Sequence, residues 1–356
     1  MIIKTLWHLY HKLKYLKKTF NKYKQSLAPG SYFLHPCMRA IVLQDEYFRT
    51  KLDVYFAQMP YYSGGQLTVK YINKYGILKN KKNAGSEYQA MYIANNSEKV
   101  REIKLFSISK QKILTICTCE EEWKRQIYLY SLLHEAYHLP KITTAEEYEN
   151  SYFVDMVDLL PIPNNKSAIV EIADSTKKFN SANLQKKINE VLTYKYEDNR
   201  FETILDQISG QISPEVMNDN ITLCMQHGDL SSENLIYGES NHRVGYWWID
   251  WEHVKERVFY YDVFFYIQHS AFYCNNDIIL EEFLSGNFDS ILSDLFLHFG
   301  HTYIPERRKE YFCVFIIVFL MERICDKGYF EALKKYFNFM IRKGIIVNGK
   351  SPTFFP

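Results

Sequence analysis

The stretch QHGDLSSENLIY, Gln226 to Tyr237, followed by YWWIDWEH, Tyr246 to His253, decides the reading of this chain. The first places His227, Asp229 and Asn234 in the spacing HxDxxxxN, and the second ends an apolar, strand-like run at Asp250. A carboxylate can accept the proton of an attacking hydroxyl, while an amide oxygen and a second carboxylate hold Mg²⁺ against nucleotide phosphates. Asp229 suits the first task and Asn234 and Asp250 the second, because oxygen ligands suit a hard cation. Taken singly, each residue reads as ordinary: His227 as a core histidine, Asp229 as a turn, Asn234 as a cap, Asp250 as a strand end. Their order and their apolar flanks make them a set that phosphoryl transfer requires.

HGDLSSEN together with IDWE resembles the aminoglycoside phosphotransferase and choline kinase group of the protein-kinase-like fold. That group carries HGD where protein kinases carry HRD, and an IDWE-type segment in place of DFG. The resemblance implies an α+β, two-lobed fold, with a small antiparallel-sheet lobe and a mostly helical large lobe. It implies Asp229 as catalytic base, Asn234 and Asp250 as Mg²⁺ ligands, and His227 as support for the loop. Asp262, in FYYDVFFYI, looks like the residue that steadies the loop from the following helix. Glu252 reads equally as a site-edge carboxylate and as a helix start. The donor would be ATP or GTP and the acceptor a hydroxyl of a small molecule or sugar. The strong match runs from Gln226 to Tyr266, and a match in the order of elements extends back to about Tyr88.

Working outward, YQAMYIA, VREIKLFSIS and KILTICT have the β-branched and alternating character of strands; a helical stretch from Glu120 and a further run, SYFVDMV, follow. The expected organisation is a basic amphipathic helix over 1–30, an extension of unassigned role over 31–87, a small nucleotide-binding lobe over 88–157 and a large lobe over 158–356. The small lobe departs from the pattern of the group. Its phosphate-covering loop would be Asn95 to Lys99, with no glycine, leaving Asn96 and Ser97 as the turn residues near a phosphate. The usual lysine position falls near Thr115 and its glutamate partner near Gln126. Loss of both charges together leaves neither unpaired, and Lys104 or Lys112 becomes the candidate for the phosphates. A scaffold that keeps the loop without efficient turnover is the alternative reading.

Composition sets the frame. With 356 residues, 47% of them hydrophobic, the chain is long enough for a large core or two smaller ones. Residues 1–44 carry eight Lys/Arg and no Asp or Glu, against 35 basic and 41 acidic residues in the rest. Ile2, Leu6, Leu9, Leu13, Leu16, Phe20, Tyr23 and Leu27 recur at helical spacing among these lysines. Such an arm either packs on the protein or lies on an anionic membrane, so residues 1–27 are the candidate for peripheral contact. A membrane-linked acceptor, such as a glycan of lipopolysaccharide or capsule, rests on that arm. Nucleic-acid binding rests on the arm alone, because no basic patch continues into the body. Seven irregularly spaced cysteines fit a reducing cytoplasm, and the Cys117–Cys119 pair lacks further thiolate or imidazole ligands nearby. The run Phe312–Met321 is about half the ~20 residues of a spanning helix and reads as a core helix.

Overall fold

The computed structural model of the chain describes residues 14–35, 40–45, 78–80, 87–96, 99–145, 148–179, 184–195, 199–325 and 328–346. These fall into two compact units, within Met1–Pro161 plus Leu235–Ile249 and within Ile162–Asn234 plus Asp250–Pro356. The first is sheet-rich and the second mostly helical, an α+β division.

In the first unit, β1 (Gly30–Leu34), β2 (Ala40–Leu43), β3 (Leu78–Asn80), β4 (Ala90–Asn96), β5 (Lys99–Ser107), β6 (Lys112–Cys117), β7 (Ile142–Thr144) and β8 (Ser151–Asp155) form one antiparallel sheet. Their order is β3-β1-β2-β4-β5-β6-β8-β7. The runs read as strands in the sequence are β4, β5, β6 and β8. Period-two alternation sends Met91, Ile93, Ile103, Leu105, Leu114 and Ile116 into one buried face. The other face carries Ala90, Tyr92 and Phe106. Pairing of Ile41 with Met91 joins the extension to this sheet, so the described parts of 31–87 add three strands. The helix Glu120–Leu133 begins with three glutamates, favourable at the positive end of its dipole, and buries Gln126, Leu129, Tyr130 and Leu133 at helical spacing.

The described half of the arm is helical over residues 14–23. Leu16, Phe20, Tyr23 and Leu27 are buried in the same cluster as Met91, Ile103 and Leu114. Asn80 Nδ2 donates to the carbonyls of Lys24, at 2.8 Å, and Leu27, at 2.7 Å, tying the end of the arm to β3. Burial of each such side chain is worth about 1.5–3 kcal/mol. Of the two expected alternatives, packing on the protein is the one this half takes: its apolar stripe faces the protein's own sheet. Residues 1–13, with Trp7, lie outside the described part. No helix among the described residues is long and apolar enough to cross a membrane.

A small sheet of β9 (Asp158–Leu159), β12 (Leu235–Ser240) and β13 (Arg243–Trp248) completes this unit. Gly238 pairs with Leu159, which is why the β12–β13 hairpin, expected with the large lobe, groups with the sheet unit.

In the second unit β10 (Leu184–Lys187), β11 (Asn220–Gln226) and β14 (Lys255–Val258) form an antiparallel sheet in the order β10-β11-β14. Helices Tyr261–Phe272, Asp277–Leu284 and Arg308–Leu320 pack through aromatic contacts such as Phe264 against Phe283 and Phe312. Every residue from Tyr311 to Leu320 is buried, so the apolar run is a core helix. A π-helical turn, Met321–Cys325, follows it.

Candidate active site

The site grows from the end of β11. Gln226 Oε1 accepts the backbone N–H of Asp262 at 3.1 Å, satisfying a donor in the first turn of helix Tyr261–Phe272. The buried Asp262 carboxylate answers by accepting the N–H groups of His227, at 2.6 Å, and Gly228, at 2.8 Å. Burial pushes this carboxyl up to about 6, opposed by those two backbone donors and by Arg257. The sequence expectation that Asp262 sits against the HGD loop thus corresponds to two charge-assisted bonds.

Gly228 has φ +78°, a conformation that glycine adopts without strain, and a Cβ there would overlap the Arg257 guanidinium. His227 is fully buried, packs its ring 4.6 Å from Trp251, and accepts the Asp229 N–H on Nδ1 at 3.3 Å. The loop then turns tightly: Ser231 N–H donates to Asp229 O at 2.9 Å and Asn234 N–H to Ser231 O at 3.0 Å. Asn234 Nδ2 donates to Asp229 O at 2.8 Å. With its NH₂ group held by the loop, the amide directs Oδ1 away from it, and that oxygen is the atom a cation would use. The Asp229 side chain is about one-third exposed, at 35%, with Oδ1 facing Arg323.

Asp250 occupies the left-handed region, φ +64° and ψ +62°, just before the 3₁₀ turn Trp251–His253. Asp is among the few side-chain-bearing residues that adopt this conformation readily. The turn is fastened to the loop by the Trp251–His227 ring contact and by Arg257, whose Nη1 donates to His253 O at 3.0 Å. Glu252 Oε1 lies 2.9 Å from His253 Nε2. Among the described residues no group of three or more His, Cys, Asp or Glu side chains could hold a metal. One amide and one carboxylate acting with nucleotide phosphates would need no such group, and the donor set of Asn234 and Asp250 fits Mg²⁺.

Four charged residues of this neighbourhood, Lys255, Arg257, Glu322 and Arg323, escape sequence reasoning. Arg257 reaches Glu322 Oε2 at 2.9 Å and lies over the Tyr261 ring; Lys255 takes Glu322 Oε1 at 2.8 Å. Arg323 Nη2 donates to Gly228 O at 2.6 Å and to Asp229 Oδ1 at 3.1 Å. The only sequence signal of Glu322 and Arg323 is that they form a Glu-Arg pair after an apolar run, a pattern that more often marks a solvated helix end.

The sheet unit holds the remaining candidates. Lys104 forms an ion pair with Glu102 at 2.8 Å, and Lys112 lies 3.5 Å from Asp155. Thr115 is the cross-strand partner of Lys104 and is buried. Gln126 is buried and donates to Glu122 Oε1 at 2.7 Å. Asn96 ends β4, but its side chain and all of Ser97 lie outside the described part.

No protein-family model and no curated protein sequence matches the chain. Solved structures do. A choline/ethanolamine kinase family protein from Mesorhizobium loti matches at 9% identity and a TM-score of 0.39, over 72% of this chain and 90% of its own. Choline kinase LicA from Streptococcus pneumoniae matches at 13% identity and a TM-score of 0.41, over 79% of this chain and 98% of its own. The aminoglycoside phosphotransferase APH(4)-Ia matches at 12% identity and a TM-score of 0.41, over 71% and 93%. These are proteins of the group that HGDLSSEN and IDWE resemble.

Proposed function

We propose that this chain is a phosphotransferase that moves the γ-phosphate of ATP or GTP to a hydroxyl of a small molecule or sugar. The observation that carries the reading is the loop itself: Asp262 and Asn234 fix its backbone, while the Asp229 carboxylate stays accessible. Asp229 orients the acceptor hydroxyl and takes its proton. Asn234 Oδ1 and the Asp250 carboxylate hold the cation, and His227 and Asp262 keep the loop in place. A bound Mg²⁺ supplies charge neutralisation at the phosphates. Lys104 is the proposed phosphate contact of the sheet unit, since it stands opposite Thr115 on the neighbouring strand.

The glycan-linked acceptor rested on the basic arm. With Leu16, Phe20, Tyr23 and Leu27 buried, the described residues lend it no support.

Titration of the purified protein with ATP and with GTP, with and without Mg²⁺, tests the site. Metal-dependent binding that disappears in Asp250→Ala is expected, together with a drop in turnover of about 10³-fold or more in Asp229→Ala. Undiminished turnover in Asp229→Ala would sink the assignment. One observation favours the scaffold reading: neutral, buried Thr115 and Gln126 stand where the group's lysine and glutamate are expected. Nucleotide binding without turnover of any acceptor would select it.

A further inference from the structure

Arg323 has no part in the transfer outlined above, yet it is the cation nearest the proposed base among the described contacts. The π-helical turn Met321–Cys325 carries two charges that serve different neighbours. Both Glu322 oxygens are taken, one by Lys255 and one by Arg257, so Glu322 does not neutralise Arg323. Arg323 uses Nη2 alone, on Gly228 O and Asp229 Oδ1. Its Nε and Nη1 have no acceptor among the described residues, and the side chain is 17% exposed.

A guanidinium held at one corner, with its other donors open beside a carboxylate that must receive a proton, is arranged to take a second anion. Its position is fixed in advance by the loop carbonyl, so little rotamer freedom remains to be lost on binding. The other carboxylate that senses Asp229, Asp262, is buried and spends both oxygens on the N–H groups of His227 and Gly228. His269, kept neutral by burial that brings it down to about 4, and Tyr273 both sense Asp229. Cys274 lies 3.8 Å from Ser232 of the loop. An ammonium-bearing acceptor would meet the Arg323 charge next to the base.

We propose that Arg323 selects acceptors that carry a carboxylate or phosphate next to the hydroxyl that Asp229 deprotonates; this rests on the phosphotransferase reading. Open guanidinium donors bind such an oxygen pair through charge-assisted, bidentate bonds. The same chemistry could come from the transferring phosphoryl group, and the two sources separate by experiment.

Turnover is measured with glycerol, glycerol phosphate, glycerate and choline as acceptors, on wild type, Arg323→Gln and the charge-keeping Arg323→Lys. Wild type should favour the anionic acceptors over glycerol by about 10-fold or more in kcat/KM, with choline poorest. In Arg323→Gln the ratio of anionic to neutral kcat/KM should fall about 10- to 100-fold, with Arg323→Lys between. Glycerol phosphate titrated into the ADP–Mg²⁺ complex gives the same comparison without turnover. An unchanged ratio overturns the proposal. So does a loss confined to nucleotide affinity, which would place Arg323 on the phosphoryl group instead. Absence of nucleotide binding in wild type would remove the phosphotransferase reading and this proposal with it. A preference for choline would leave the transferase reading standing and reject the role of Arg323 alone.

Discussion

The loop of the helical unit and the lysine region of the sheet unit solve opposite problems. In the loop, Gln226, His227, Asn234 and Asp262 are bonded to one another or to backbone, while the Asp229 side chain, paired with Arg323, stays 35% exposed. In the sheet, the expected charge pair is replaced by buried Thr115 and Gln126, while a cation and an anion, Lys104 and Glu102, appear one strand away. Directly opposed residues of an antiparallel pair share a face, so Lys104 stands beside Thr115 rather than behind it. Cys117 feels Glu102, Glu122 and Lys104, and its thiol is pushed up to about 12 mainly by burial. The loop is held by many bonds, whereas the sheet region has one part-exposed ion pair on the face that carries Thr115.

The largest effect is expected where the bonds are densest. Asp262→Ala strands two buried N–H groups, each worth about 1–3 kcal/mol. Urea unfolding should show a loss of about 2–5 kcal/mol, with turnover near background. A stable, active Asp262→Ala protein would mean that the loop is held by Asn234 and Arg323 alone.

Comparable in its effect on stability, but without the loss of the loop, is Thr115→Lys. It sets an ammonium at a buried position opposite Lys104, with no anion at Gln126, and should cost about 3–5 kcal/mol. Adding Gln126→Glu should recover part of that cost. Gain of nucleotide affinity in the double variant would show that the usual geometry is still available; failure to recover stability would show that the face has repacked around neutral residues. Lys104→Met sharpens the same contrast. Its ion pair is part-exposed, so stability should change by less than about 1 kcal/mol, while nucleotide affinity falls about 10-fold.

The loop also has a pH signature. Asp262 titrates at about 6 in the folded chain, above its ordinary value near 4, so its contribution to stability is fully present below about 4 and lost as pH rises through 6. His269, down to about 4 from 6.5, behaves in reverse: its contribution is present above 6.5 and lost as pH falls through 4. The two oppose each other between 4 and 6. In Asp262→Asn, stability should therefore decline steadily on acidification across that window. In His269→Gln it should decline as pH is raised. Wild-type turnover should fall below about pH 6, because a protonated Asp262 no longer accepts both loop N–H groups, and that limb should vanish in Asp262→Asn.

How far the sequence could be read follows from the range of the forces involved. β4, β5 and β6 were legible because alternation is local, and so was the buried stripe of residues 16–27. β1, β2 and β3 were not, because Tyr32 pairs with Leu78 and Ile41 with Met91 across stretches that carry no periodic signal. His227, Asp229, Asn234 and Asp262 could be named since one loop and the helix after it bring them together. Arg323 meets Gly228 from 95 positions away, and nothing near MERIC distinguishes a guanidinium aimed inward from one in solvent. Arg257 was hidden likewise: its guanidinium fills the space that a Cβ at Gly228 would take, at a position whose φ of +78° already favours glycine.

The smallest effect tests whether the helix that carries Asp262 depends on every polar group near its start. Tyr260, two residues earlier, is fully buried among Phe264, Phe296 and Tyr311. Its hydroxyl has no hydrogen-bond partner among the described residues, and burial holds its ionisation far above the ordinary tyrosine range. A desolvated hydroxyl without a partner contributes nothing and costs its hydration. Tyr260→Phe keeps the ring contacts and removes that cost, so unfolding should shift by no more than about 1 kcal/mol, toward greater stability. Turnover should be unchanged, since the Asp262 bonds to His227 and Gly228 are untouched. A marked loss of stability would show that the hydroxyl is engaged after all, and that polar satisfaction around the loop extends one helical turn deeper than Gln226 and Asp262.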